Sequence, residues 1–161
     1  MKGRAIVLGN NVSGDQIISG GRLAGGKSEQ EGVAYLFESV RPDFASLYKK
    51  GDIVVAGENF GCGSSREMII QVMKAAGIEC VVAKSFARQF YRAGINNGII
   101  PVECNIEVSD GTELEIDMAD NLVILENGEK IPFQPFPAQV QALIKEGGII
   151  NYYKNHQSLS K

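Results

Sequence analysis

Gly57-Glu58-Asn59-Phe60-Gly61-Cys62-Gly63-Ser64-Ser65-Arg66-Glu67 places glycines, hydroxyls, a thiol and a guanidinium in one short stretch. The apolar run Ile53-Val54-Val55-Ala56 leads into it, and Met68 to Ala76 leads out with apolar residues at helical spacing. A strand that turns through glycines into a helix brings backbone N–H groups and the positive helix end together, which suits a carboxylate or a phosphate. Arg66 adds a two-pronged carboxylate clamp, while Ser64 and Ser65 add hydroxyls that can hold or move a proton. Ser64 and Glu67 also stand in S-x-x-E register, so Ser64 has a purely structural reading as a helix cap worth about 1 kcal/mol. Capping alone does not account for the second serine, the arginine and the glycines.

Two nucleotide readings compete with this one. Gly21-Arg22-Leu23-Ala24-Gly25-Gly26-Lys27-Ser28 matches G-x-x-x-x-G-K-[ST], which as a P-loop would set Lys27 on phosphate and Ser28 on Mg²⁺. The strand expected before it, Gln16 to Ser19, is weak, and no apolar run ends in the Asp of a Walker-B partner. The Gly57/Gly61/Gly63 spacing is not that of a dinucleotide fingerprint, and Lys84 stands where a ribose-binding acid belongs. Asp15 by itself reads as a loop or capping residue. Arg88, Arg92, Asn96 and Asn97 fit either a solvated surface or a second anion-binding wall.

The elements that must position these residues alternate. Residues 4–9 read as a strand, 16–19 as a short extended segment, and 20–27 as a glycine-rich flexible loop. Ser28 and Glu31 form a capping box that opens a helix over 29–38, and Asp43 to Lys50 forms a short helix. Strand, helix, strand, helix and strand over 52–102 imply a parallel sheet with flanking helices; the middle strand is Ile78 to Ala83 and the second helix Phe86 to Ala93. Short strands at 106–108, 113–116 and 122–125 then imply hairpins turning at Asp110-Gly111 and Asn127-Gly128. A last helix runs from Ala138 to Glu146, and the tail after Asn151 is expected to fray.

With 161 residues and a net charge of −3, the chain is a single domain with no basic footprint for nucleic acid. No apolar run approaches the roughly 20 residues of a membrane span, and the start of the chain lacks a signal-peptide pattern, so a cytoplasmic protein is expected. Cys62, Cys80 and Cys104 are too widely spaced for a disulfide framework or a metal-binding CxxC, and no metal ligands are assigned. His156 is the sole histidine, so any general base near the glycine turn is something else.

Gly61-Cys62-Gly63-Ser64-Ser65-Arg66-Glu67, Ala83-Lys84-Ser85-Phe86-Ala87-Arg88-Gln89-Phe90-Tyr91-Arg92 and Ile95-Asn96-Asn97-Gly98 together resemble one family. It is the small subunits of the isopropylmalate isomerase and homoaconitase group, the separate swivel domain of the aconitase superfamily. The resemblance covers nearly all of residues 1–150. It implies an α/β fold: an aconitase-like swivelling β/β/α domain over 1–161, mainly a parallel sheet flanked by helices, with C-terminal β-hairpins. It also implies a hydro-lyase subunit active only with a large subunit that carries the [4Fe–4S] cluster, as a heterodimer or heterotetramer. The substrate would be a hydroxy di- or tricarboxylic acid, with 3-isopropylmalate of leucine biosynthesis foremost and homoaconitase-type acids or a methylated malate as alternatives. By the same resemblance Ser64 is the catalytic base, Asp15 a catalytic-site aspartate, and Ser65 and Arg66 bind substrate. Arg22 and Lys27, in the loop that sorts substrates, also bind substrate, reaching its variable end. The chain departs from the family pattern at Ser13-Gly14, at Met68, where a histidine often follows the motif, and through the whole sorting loop.

Overall fold

The structure of the chain is a computed structural model that describes residues 1–63 and 67–156. Ser64, Ser65 and Arg66 therefore lie outside the described residues, as do residues 157–161. A seven-stranded sheet runs in the order β4-β3-β2-β1-β5-β6-β7. Its strands are β1 (Lys2–Val7), β2 (Ile53–Ala56), β3 (Cys80–Ala83), β4 (Ile100–Glu103), β5 (Glu113–Asp117), β6 (Leu122–Leu125) and β7 (Lys130–Pro132). The first four are mutually parallel, and β5 joins β1 antiparallel to begin a meander.

Each parallel step moves the same way across the sheet, so right-handed crossovers lay the connecting helices on one face. These are α1 (Gly14–Ile17), α2 (Gly20–Leu23), α3 (Glu29–Gly32), α4 (Phe44–Leu47), α5 (Glu67–Ala75) and α6 (Arg88–Asn96). Alternation along each strand divides the interior into two cores. Ile6, Val54 and Val81 face Ile17, Ile70, Met73, Phe44 and Phe90 on the helical side. Ala5, Val55, Cys80 and Val82 face the other way and share a core with Leu114, Ile116 and Val123 of the meander. The antiparallel half thus curls back over the parallel half. Burial on both faces is why β2 and β3 read as continuous apolar runs. Two further helices, α7 (Ala138–Lys145) and α8 (Ile149–His156), close the chain; α7 packs against α6, and its Val140 and Ile144 lie against the second core.

Several expectations need correction. Gln16 and Ile17 are helical, because Ser13 and Gln16 form a capping box that sequence reading overlooked; the Gln16 side chain bonds the Ser13 N–H at 2.9 Å. Residues 20–23 form a helical turn within the expected flexible loop. The helix expected over 29–38 breaks into α3 and a 3-10 turn at Val33–Tyr35, since Phe37 must turn inward with φ +56°. α4 is a single turn, shorter than the Asp43–Lys50 helix expected. α6 starts and ends later than expected and includes Gly94 and Ile95. Residues 106–108 are not a strand: Asp110 and Gly111 bond instead to the β1 backbone at Val7 and Ala5. The Asn127-Gly128 hairpin is as expected. Tyr152 to His156, expected to fray, belong to α8.

Candidate active site

Parallel strands bring their carboxyl ends to one edge, where open α/β sheets bind ligands. Three loops meet at that edge here, after β1, β2 and β3. Their backbones continue the sheet's bonding past the strands: Gly57 N–H to Gly9 C=O at 3.2 Å, Lys84 N–H to Gly57 C=O at 3.1 Å, and Gly61 N–H to Val12 C=O at 2.7 Å. Phe60 is held from both sides, its N–H on Ser85 C=O at 3.0 Å and its C=O receiving Ala87 N–H at 2.9 Å. Gly14 N–H then closes on Cys62 C=O at 2.9 Å, fixing Cys62 and Gly63 beside Ser13.

Side chains complete the lacing. Asn10 Oδ1 accepts Glu58 N–H, the Ser85 hydroxyl accepts Asn59 N–H, and Asn59 Nδ2 donates to Asn11 Oδ1 at 3.1 Å. Asn11 and Asn59 both adopt left-handed backbone, which asparagine tolerates better than most residues. Sequence reading missed this asparagine network; the Asn10-Asn11 pair opposite a glycine turn was its only trace. Gly61 is required on two counts. Its φ is +78°, and a Cβ there would stand 2.3 Å from Cβ and Cγ of buried Phe90.

The candidate turn at 61–67 is thus approached through laced backbone. Gly63, with φ +74°, delivers the chain to residue 64, and α5 takes it up at Glu67. The first N–H groups of a helix have no partner within it, so the start of α5 carries positive potential. Asp15 stands exposed in the first turn of α1, one residue beyond the Gly14–Cys62 bond. It therefore lies on the same edge as the turn. Asn97, one of the undecided residues, is structural: it receives Gln71 Nε2 at 2.7 Å and donates to Ala93 C=O, tying α6 to α5.

Arg22 and Lys27 meet over one ring. Arg22 lies 4.3 Å from the Tyr35 ring centroid and Lys27 5.4 Å, a pair of cation–π contacts. Arg22 also forks Glu38 with two hydrogen bonds of 2.7 and 3.0 Å, so its guanidinium is already neutralised. The Ser28 hydroxyl bonds Glu31 Oε2 at 2.8 Å and accepts Glu31 N–H, the expected capping box.

A model of the aconitase C-terminal domain matches residues 24–107. The 3-isopropylmalate dehydratase small subunit 1 of Thermotoga maritima is 42% identical over 100% of this chain and 99% of its own length. The chain belongs to the aconitase C-terminal domain family, among its dehydratase small subunits. A crystal structure of 3-isopropylmalate dehydratase from Methanocaldococcus jannaschii is 38% identical and superposes with a TM-score of 0.93, covering 99% of this chain and 96% of that one. The methanogen homoaconitase small subunit of Methanothermobacter thermautotrophicus is 40% identical over 95% of this chain and 90% of its own. Membership among dehydratase small subunits does not call for a nucleotide loop at 21–28, and Gln16 and Ile17, where its leading strand was expected, are helical. A helical turn, not a strand, occupies residues 20–23, and Ser28 is engaged in capping.

This hydro-lyase family implies an iron–sulfur cluster, and the thiols of this subunit do not fit one. Cys80 and Cys104 are buried together in the second core, where burial pushes the Cys80 thiol up to about 12 and the Cys104 thiol also upward. Only Cys62 is at the loop edge, with Sγ 3.5 Å from Asn11 C=O. Among the described residues no three His, Cys, Asp or Glu side chains gather to hold a metal ion. No described helix is long and apolar enough to cross a membrane.

Proposed function

We propose that this chain is the small subunit of a 3-isopropylmalate dehydratase, acting in leucine biosynthesis with a large subunit that carries the [4Fe–4S] cluster. The subunits would pair as a heterodimer or heterotetramer, and residues 1–161 would move as one swivelling domain. Near-full-length similarity to small subunits of that name supports the assignment. A cytoplasmic setting is consistent with free thiols and a cluster, both of which need reducing conditions.

The observation that carries the choice of substrate is the Arg22–Glu38 fork. A guanidinium already forked by a carboxylate offers a substrate's third carboxylate less attraction, although the pair is exposed, and Leu23 and Ala24 beside it suit an alkyl group. The homoaconitase reading retains one supporting observation. Lys27 has no carboxylate at ion-pair distance among the described residues, so it remains the cation available to a longer acid.

Within the reaction, water leaves a hydroxy acid to give the alkene and returns at the neighbouring carbon. The cluster, when the partner brings it, supplies Lewis-acid activation of the departing hydroxyl. Ser64 takes the proton alpha to a carboxylate, and its oxyanion is stabilised by the donors at the start of α5 and by Arg66. Arg66 and Ser65 hold the substrate carboxylate, and Asp15 orients groups on the same edge. The test is co-expression with the large subunit. The small subunit alone should not turn over. In the complex, Ser64→Ala and Arg66→Lys should each lower turnover of 3-isopropylmalate by about 10³-fold while lowering the melting temperature by no more than about 2–4 °C, the value of a lost helix cap. A Ser64→Ala complex at full rate removes Ser64 as the base; preference for a homoaconitase substrate moves the assignment to that acid.

A further inference from the structure

Three strong features lie outside the turn. A cleft of about 570 Å³ beside Lys2, Lys50 and Glu113 lies near the paired residues Arg4 and Asp52, with charges of both signs and no selective chemistry. An apolar groove on α7 and α8 shows exposed Ile150 and Tyr153, but no feature of the chain marks its occupant. The third carries an inference.

Arg88 and Arg92 stand one turn apart on α6, both exposed, in a helix without a single acidic residue. Like charges at this spacing repel, and an arginine in the first helical turn opposes the helix dipole. Neither arginine has a carboxylate within ion-pair distance among the described residues. A cleft of about 290 Å³ is lined by both arginines, by Phe86 and Tyr91, and by Glu103 at the end of β4. Arginine and tyrosine around a partly apolar hollow are the residue types that anchor protein interfaces. The whole arrangement sits on the edge of the candidate active site: Ala87, next to Arg88, bonds the carbonyl of Phe60 immediately before Gly61. On a chain of net charge −3 this is a local positive ridge.

We propose that the Arg88–Arg92 ridge is a docking surface for a carboxylate-bearing segment of the large subunit, continuous with the half-site that subunit must cover. The inference rests on the proposed two-subunit enzyme. Two substrate-sized anions would leave the aromatic walls unused, whereas an acidic peptide segment covers walls and charges together.

The test measures the dissociation constant between this chain and its co-purified large subunit by titration calorimetry. Arg88→Glu/Arg92→Glu should weaken association by about 100-fold, and the milder Arg88→Gln/Arg92→Gln by about tenfold. Wild-type affinity should fall more steeply with salt than that of either variant. Circular dichroism melts identical to wild type show that the fold is retained, and Ser64→Ala should bind with wild-type affinity. Undiminished affinity of the Glu variant overturns the surface while leaving the two-subunit reading intact. So does a variant that assembles normally but shows a raised KM, which makes the arginines substrate contacts. Absence of any wild-type association overturns both.

Discussion

Gly61→Ala tests whether the candidate catalytic turn is built on a backbone that only glycine permits. At φ +78° an L-residue costs about 1–2 kcal/mol. The new methyl would also stand 2.3 Å from Cβ and Cγ and 2.6 Å from Cδ2 of Phe90, the root of a ring and not the tip of a flexible chain. Phe90 cannot retreat easily, since it is 1% exposed and packs edge-on to Phe60 at 5.0 Å and flat against Phe86 at 6.1 Å. Overpacking of this kind costs about 1–3 kcal/mol, giving a total of about 2–5 kcal/mol. Gly111→Ala is the control. Gly111 has φ +83°, and a methyl added there would meet nothing within 4 Å, so only the dihedral cost of about 1–2 kcal/mol applies. Urea unfolding at constant slope reads both values, and the Gly61 variant should melt roughly 4–20 °C lower. In the complex, turnover should fall with Gly61→Ala and not with Gly111→Ala. Equal destabilisation by the two substitutions would refute the reasoning, since it would mean that Phe90 does not police the turn.

Two further outcomes follow from charge and burial. Burial alone pushes the Asp52 carboxyl up, but the Arg4 guanidinium at 2.6 Å and the Lys49 N–H at 2.9 Å outweigh it and hold the group below its ordinary value. Asp110 is held down in the same direction by its fork with Arg41. A depressed folded value means that the unfolded chain binds more protons. Both groups therefore stabilise the fold above about pH 4 and lose that contribution as pH falls through their folded values. Urea midpoints between pH 7 and pH 3 should show this loss, and Asp52→Asn should remove Asp52's share of it, leaving that of Asp110, while costing about 2 kcal/mol at neutral pH. Alkylation followed by mass spectrometry should find one fast thiol among three, Cys62, because Cys80 and Cys104 are buried with raised thiol values. Rapid labelling of Cys80 would contradict the second core.

The sequence made the parallel half of the fold legible because β2 and β3 are apolar on both faces and glycines punctuate each crossover. It was least legible between residues 16 and 47. There the helices last a single turn, and their periodicity is too brief to separate from a loop; only the Ser13–Gln16 and Ser28–Glu31 capping boxes mark them. The break after Gly32 is set by Phe37, whose inward turn packs on Phe44 at 4.5 Å, a tertiary demand with no local signature. The candidate turn at 61–67 was proposed from residue types alone, since glycine, serine and arginine at a helix start have few joint purposes. The Arg22–Glu38 fork was not, because sixteen residues separate its members and nothing in the intervening chain announces their meeting.

The lacing of the three loops has a consequence for assembly. Because Gly9, Val12, Gly57, Phe60, Cys62 and Ser85 prolong the ladder of the sheet, the ground on which the turn stands is set before any partner arrives. A surface that must first freeze surrenders part of its contact energy to lost chain entropy, whereas this one has already met that requirement during folding. Amide exchange at Gly14, Gly57 and Gly61 should be as slow as in the strands, so these loop backbones meet the large subunit already in their folded arrangement.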